Sequence, residues 1–315
     1  MASSVMIKKL ASSLVVICGL GWVVYLLASS IRDIPPLALN GILPLILASL
    51  FVLGALLLNV FPFFLLLNAG GGGGLSFFSV ARMHFFGQIL RYLPGRLWGV
   101  VYQASIAPEN VSKIRLARAN VDWMLLSMSV NAVAASLIIA ASLNISATLI
   151  AVIGLVGGVA LLLVPLGGLD YLLVRLTGIM SGRIRRVMQM TASTPLSLTK
   201  SICLLTTLLL SWGSYTVGWC VLSYVFPVFA NIDMIDISAA YTLASVVGIV
   251  SVVAPAGLGV REASFMLIAS GIAPSQTLAF FAVFGRVWLM SLDVFLFVTS
   301  FLCFRLSQDK NESRG

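Results

Sequence analysis

Six apolar runs restrict what this chain can fold into more than any other feature. They are Leu10 to Ala28, Gly41 to Asn68, Ala119 to Ala141, Ile145 to Leu166, Ser201 to Phe226 and Leu278 to Phe304. A helix needs about 20 predominantly apolar residues to cross the hydrocarbon core, and only helices or closed barrels satisfy their own backbone there. The composition agrees: 60% of the 315 residues are hydrophobic and 9% are charged, against about 25% charged in a soluble domain. No polar stretch is long enough to form a separate soluble domain, so residues 1–315 read as a single transmembrane domain. The first run follows a basic start and ends in small residues, as a signal peptide would. Its length is nearer a full span than a signal core, and a retained anchor is expected.

Two further apolar regions are not ordinary spans. Ser79 to Ile106 is broken at Pro94-Gly95, and Ile237 to Gly271 is broken at Ala254 to Gly259. If both are re-entrant hairpins, each entering and leaving on one side, every basic loop falls on the same side of the membrane. Lys8, Lys9, Arg82, Lys113, Arg115, Arg118, Arg175, Arg183, Arg185, Arg186, Lys200 and Arg305 are then inside. Arg32 with Asp33, the uncharged stretch at Asn144, and the acidic stretch at Asp233 and Asp236 are outside. That distribution obeys the positive-inside rule, with both termini cytoplasmic in a plasma (inner) membrane. The net charge of +9 thus belongs to topology rather than to nucleic-acid binding. The expected fold is all-α: a polytopic integral membrane protein of about six transmembrane helices plus two re-entrant hairpins of opposite orientation. Broken elements in corresponding positions of two inverted halves point to a site near the bilayer midplane.

The intramembrane charges point the same way. Arg91 and Arg96 flank the first break, Arg261 and Glu262 follow the second, and Asp122, Arg286 and Asp293 lie in long spans. A lone Arg or Asp at the bilayer centre costs about 2.5–3.5 kcal/mol on insertion scales. Local pairing would offset this, with Arg261 beside Glu262 and Arg286 two turns from Asp293. Four arginines against three acids leave a cationic surplus, however, and each break starts a helical arm, near Gly95 and near Gly259, whose N-terminus attracts anions. Surplus arginine beside a helix N-terminus describes a phosphate site.

The stretches "YLPGRLWGVV" (Tyr92 to Val101) and "APAGLGVREAS" (Ala254 to Ser264), followed by "FFAVFGRVW", resemble the lysylphosphatidylglycerol synthase transmembrane-region family, also called flippase-like. The likeness runs over roughly residues 10 to 305. It implies a site at Pro94, Gly95, Arg96, Gly257, Gly259, Arg261, Glu262 and Arg286. Characterised relatives translocate aminoacylated phosphatidylglycerol, and others occur beside polyprenyl-linked glycan assembly. Ala256 stands where relatives often carry glycine, and no soluble aminoacyl-transferase domain follows the last span. Movement of a lipid is therefore expected rather than its synthesis.

The remaining features are bland. Gly70 to Gly74 precede no Lys-Ser/Thr, so they form a connector and not a P-loop. His84 is the sole histidine, which excludes a histidine-based metal site or triad, and an interfacial position is expected for it. Cys18, Cys203, Cys220 and Cys303 lack CxxC spacing and read as small buried hydrophobes. Trp98, Trp123 and Trp219 are candidate belt residues or liners of a lipid path. No nucleophile–base pair marks an enzyme, and no cofactor is implied. The expected function is binding and translocation of an anionic lipid, a phospholipid or a polyprenyl-phosphate-linked glycolipid. Its phosphate would lie on Arg96 and Arg261 with Arg91 or Arg286, beside Tyr92 and Trp98, while Glu262, Asp122 and Asp293 balance charge or carry protons. The alternative is a non-transporting subunit that docks an envelope-biosynthesis enzyme.

Overall fold

A proline in a helix removes an N–H and crowds the carbonyl four residues back, and the first long segment shows the result. The computed structural model describes residues 42–69, 74–92, 98–108, 111–143, 196–226, 231–250 and 259–312, with side chains to 303 at the C-terminal end. Helices α1 (Ile42–Leu58) and α2 (Val60–Asn68) make one 27-residue apolar segment interrupted at Asn59. A bend is expected at Pro62; the interruption falls instead at Asn59, beside Leu58, whose carbonyl the proline ring opposes. The Asn59 amide side chain donates to the Ala55 carbonyl at 3.0 Å and to Ser211 Oγ at 2.5 Å.

The chain continues through α3 (Phe77–Leu90), α4 (Trp98–Ile106), α5 (Lys113–Leu143), α6 (Leu198–Leu222), α7 (Met234–Val250), α8 (Val260–Ile268) and α9 (Ser275–Glu312). The described residues are entirely helical or irregular. Four segments are long and apolar enough to cross a membrane: Ile42–Asn68, Lys113–Ser142, Leu198–Leu222 and Ser275–Cys303. They coincide with four of the six expected spans. The other two, Leu10 to Ala28 and Ile145 to Leu166, lie outside the described residues, as do Arg183, Arg185 and Arg186.

The core forms around α6. Trp219 is fully buried and its ring meets Tyr241 at 4.7 Å, Trp288 at 5.7 Å and Phe281 at 6.1 Å between centroids. It is thus neither a belt residue nor a liner. Helix α6 packs along α1, where Ser211 Oγ donates to the Ala55 carbonyl at 2.9 Å and Ser214 Oγ to the Phe51 carbonyl at 2.7 Å. Short polar side chains that bond across to a neighbouring backbone let two apolar helices approach closely without leaving orphaned groups.

The outside is apolar too, with Leu43, Leu50, Leu209, Leu210 and Phe295 all exposed. Such a surface suits hydrocarbon and would aggregate in water. Cys203 and Cys303 belong to it, while Cys220 is only partly buried. The expectation of buried cysteines fails because, in lipid, an apolar run does not distinguish inward from outward positions. His84 departs from expectation in the other direction. It is 3% exposed, enclosed by the rings of Trp123 (4.9 Å), Phe63 (5.4 Å) and Phe85 (5.6 Å).

Helices α3 and α4 are 14 and 9 residues long, reaching about 21 and 14 Å at 1.5 Å per residue. Neither crosses a core of about 30 Å. They fold back on each other in register: Gly99 lies on the backbone of Gly87, and Gln103 Nε2 donates to the Met83 carbonyl at 3.0 Å. Gln103 Oε1 also accepts from Asn120 Nδ2 on α5 at 2.7 Å. Glycine is required at 87 and 99 by this approach. A Cβ on Gly87 would stand 2.1 Å from Gln103 Nε2, and one on Gly99 would stand 2.9 Å from the Gly87 carbonyl oxygen. Helices α7 and α8, of 17 and 9 residues, make a second packed pair. Gly259, at φ 78°, is the N-cap of α8, a backbone conformation that favours glycine.

Candidate functional site

Helix α9 organises the buried charges. It carries Arg286 and Asp293 seven residues apart, which places them two turns, about 10.5 Å, along one face. Both are buried, at 7% and 5% exposure.

Asp293 anchors the first cluster. Helix α3 ends at Leu90, with the Arg91 N–H bonded to the Gln88 carbonyl at 3.3 Å, so Arg91 and Tyr92 leave the helix and reach α9. Asp293 Oδ2 accepts from Arg91 Nη2 and from the Tyr92 hydroxyl, each at 2.5 Å. Arg91 Nη1 donates to Gln88 Oε1 at 2.6 Å, and its Nη2 also donates to the Tyr92 hydroxyl at 3.1 Å. The Arg91 side chain stays 45% accessible while that of Asp293 is 4% accessible. One end of the pair is sealed in protein and the other is open.

Glu262 anchors the second cluster. At the third position of α8 its side chain reaches back to the start of the helix, the acidic half of a capping box. Its Oε2 accepts from the Gly259 N–H at 2.8 Å and its Oε1 accepts from Arg286 Nη1. Arg261 points elsewhere: its guanidinium lies 4.3 Å from the centroid of the Tyr241 ring. Among the described residues it has no carboxylate within ion-pair distance. Its Nε has no hydrogen-bond partner among the described residues, nor does Arg286 Nε or the Tyr241 hydroxyl. The two clusters are joined through α9, which carries both Arg286 and Asp293.

The pairings differ from those expected. Arg261 does not pair with Glu262, nor Arg286 with Asp293; each acid takes an arginine from another element. Consecutive helix residues diverge by about 100°, and residues seven apart are about 10.5 Å apart along the axis, so neither expected pair is favoured. Asp122 has a local partner, Arg118, one turn back on α5 at 3.3 Å. Trp98 is 43% exposed at the start of α4. Pro94, Gly95, Arg96 and Gly257 lie outside the described residues. The residue missed from sequence is Tyr241. It looked like one more aromatic in an apolar run, and only the packing of α8 on α7 brings it under Arg261.

Three arginines (Arg91, Arg261, Arg286) thus gather with two carboxylates (Glu262, Asp293), a surplus of one positive charge among the described residues. These features define a helical protein with four segments long and apolar enough to cross a membrane and a partly buried, cation-rich cluster beside its folded-back helices. No family model, curated protein or solved structure matches the chain.

Proposed function

We propose that this chain binds an anionic lipid, a phospholipid or a polyprenyl-phosphate-linked glycolipid, and moves it across the membrane. Arg261 carries the reading: a partly buried guanidinium seated on an aromatic face, without a carboxylate partner among the described residues. An uncompensated arginine at depth costs about 2.5–3.5 kcal/mol, and a bound phosphate offsets that cost through charge-assisted bonds. The start of α8 adds a positive dipole end beside it. Tyr92, Trp98 and the break residues Pro94, Gly95, Arg96, Gly257 and Gly259 belong to the same headgroup path, and the acyl or prenyl chains stay in the bilayer. In this reading α3/α4 and α7/α8 are re-entrant hairpins from opposite faces of a plasma (inner) membrane, set among six spans with both termini cytoplasmic. The resemblance to the lysylphosphatidylglycerol synthase transmembrane-region family supports it.

Proteoliposomes containing a headgroup-labelled phosphatidylglycerol, scored for label reaching the opposite leaflet, test the proposal. Arg261→Ala is expected to abolish movement while the protein still inserts and purifies. Arg261→Lys restores only part of it, because an ammonium lacks the planar fork. Equal movement by wild type and Arg261→Ala refutes the reading.

A further inference from the structure

Resting on that reading, we propose that Glu262 sets the headgroup charge the site accepts, selecting a phosphodiester with one negative charge over a phosphomonoester with two. The two oxygens of Glu262 already hold the Gly259 N–H at the start of α8 and the Arg286 guanidinium. Those are the two kinds of partner an incoming phosphate seeks: a helix N-terminus and an arginine fork. A built-in carboxylate therefore stands where part of the ligand's charge would otherwise stand. Arg91 with Asp293 sums to zero, and Arg286 with Glu262 sums to zero. Arg261 remains as a single uncommitted cation on Tyr241.

Inside a low-dielectric domain a neutral cluster is favoured strongly over a charged one. One negative charge neutralises the cluster. Two leave an excess beside the buried Asp293 and the partly buried Glu262 carboxylates, with no further cation among the described residues of the cluster. The Nε atoms of Arg286 and Arg261, buried without hydrogen-bond partners among the described residues, are donors still open to an anion without requiring Glu262 to leave. Replacing Glu262 by glutamine raises the cluster from one positive charge to two while retaining an amide oxygen for the Gly259 N–H. The preferred ligand then shifts to the doubly charged monoester. Arg96, outside the described residues, is common to every protein compared, so the shift does not depend on it.

The test is lipid retention by the full chain. Wild type and variants are reconstituted in phosphatidylcholine vesicles holding equal amounts of phosphatidylglycerol and phosphatidic acid. They are kept at pH 8, above a second phosphate ionisation near about 6, then extracted gently and their lipid quantified by mass spectrometry. Relative to wild type, Glu262→Gln is expected to move the ratio of retained lipids at least about tenfold toward phosphatidic acid, the scale of one buried charge pairing. Glu262→Gln combined with Arg286→Gln returns the cluster to one positive charge and moves the ratio back to that of wild type, although the ion pair is gone. If Glu262→Gln fails to fold, Arg261→Gln, which takes the cluster to zero, is expected to lose the preference for either anionic lipid over phosphatidylcholine. An unchanged ratio in Glu262→Gln, a double variant that keeps the single variant's preference, or an Arg261→Gln protein that still selects anionic lipid overturns the inference. Retention of neither anionic lipid by the wild type overturns the lipid reading itself.

Discussion

Adding one methyl group at Gly99 should pry apart the arms of the first folded-back pair. A Cβ there stands 2.9 Å from the Gly87 carbonyl oxygen and 3.4 Å from its Cα. Both are backbone atoms, so no rotamer change relieves the contact, and restoring an ordinary 3.4 Å separation requires α3 and α4 to part by about 0.5 Å, an overpacking cost of about 1–3 kcal/mol. Gly87→Ala fails differently. Its Cβ meets Gln103 Nε2 at 2.1 Å, and Gln103 can swing away only by leaving the Met83 carbonyl and Asn120. At about 1 kcal/mol per net hydrogen bond, and more where a buried partner is orphaned, that variant loses about 2–4 kcal/mol. Removing the glutamine separates the mechanisms. Gln103→Ala should rescue Gly87→Ala by about 1–2 kcal/mol relative to additivity and leave Gly99→Ala unrescued. Reversible unfolding in mixed detergent, followed by tryptophan fluorescence, measures wild type, the three single variants and the two double variants. A Gly99→Ala protein as stable as wild type, or equal rescue of both alanine variants, refutes this account of the packing.

Glu262 should couple energetically to Arg286 and not to Arg261. Glu262→Gln leaves Arg286 buried without its partner, at a cost of about 3–5 kcal/mol, which Arg286→Met in the same protein largely recovers and Arg261→Met does not; thermal unfolding of the three variants beside wild type decides, and stronger coupling to Arg261 contradicts the assigned pairs. At Tyr241, phenylalanine should preserve stability because the hydroxyl has no hydrogen-bond partner, whereas leucine should cost about 1–2 kcal/mol more by removing the aromatic face under Arg261. Equal loss in the two Tyr241 variants argues against the cation–π contact.

Much of the architecture was legible because length and hydropathy alone specify a span. Every expected span within the described residues is a helix of that kind, and the break announced at Gly259 is found there, whereas the first long segment is interrupted at Asn59 rather than at Pro62. Gly259 was the clearest case: a glycine before an acidic first turn became the N-cap of α8. Partner identity was much less legible. Sequence neighbours such as Arg261 and Glu262 look paired on paper, yet helix geometry sends them different ways. The true partners, Glu262 with Arg286 and Arg91 with Asp293, depend on how helices cross. Burial of cysteines and of His84 was misjudged for one shared reason: an apolar sequence in lipid carries no inside–outside contrast, so periodicity gives no direction. Tyr241 was hidden in the same way.

Helix α9 acts as a connecting rod. Its Arg286 is tied to the second folded-back pair through Glu262, and its Asp293 is tied to the first through Arg91 and Tyr92. The stretch between them, Val287 to Leu292, contains neither proline nor glycine, so it lacks the usual cause of a kink and moves as a rigid piece. A slide of α9 along its axis therefore strains both attachments together, and the two short pairs cannot open independently while both links hold. Release of one link frees its own pair and leaves the other coupled to the same helix.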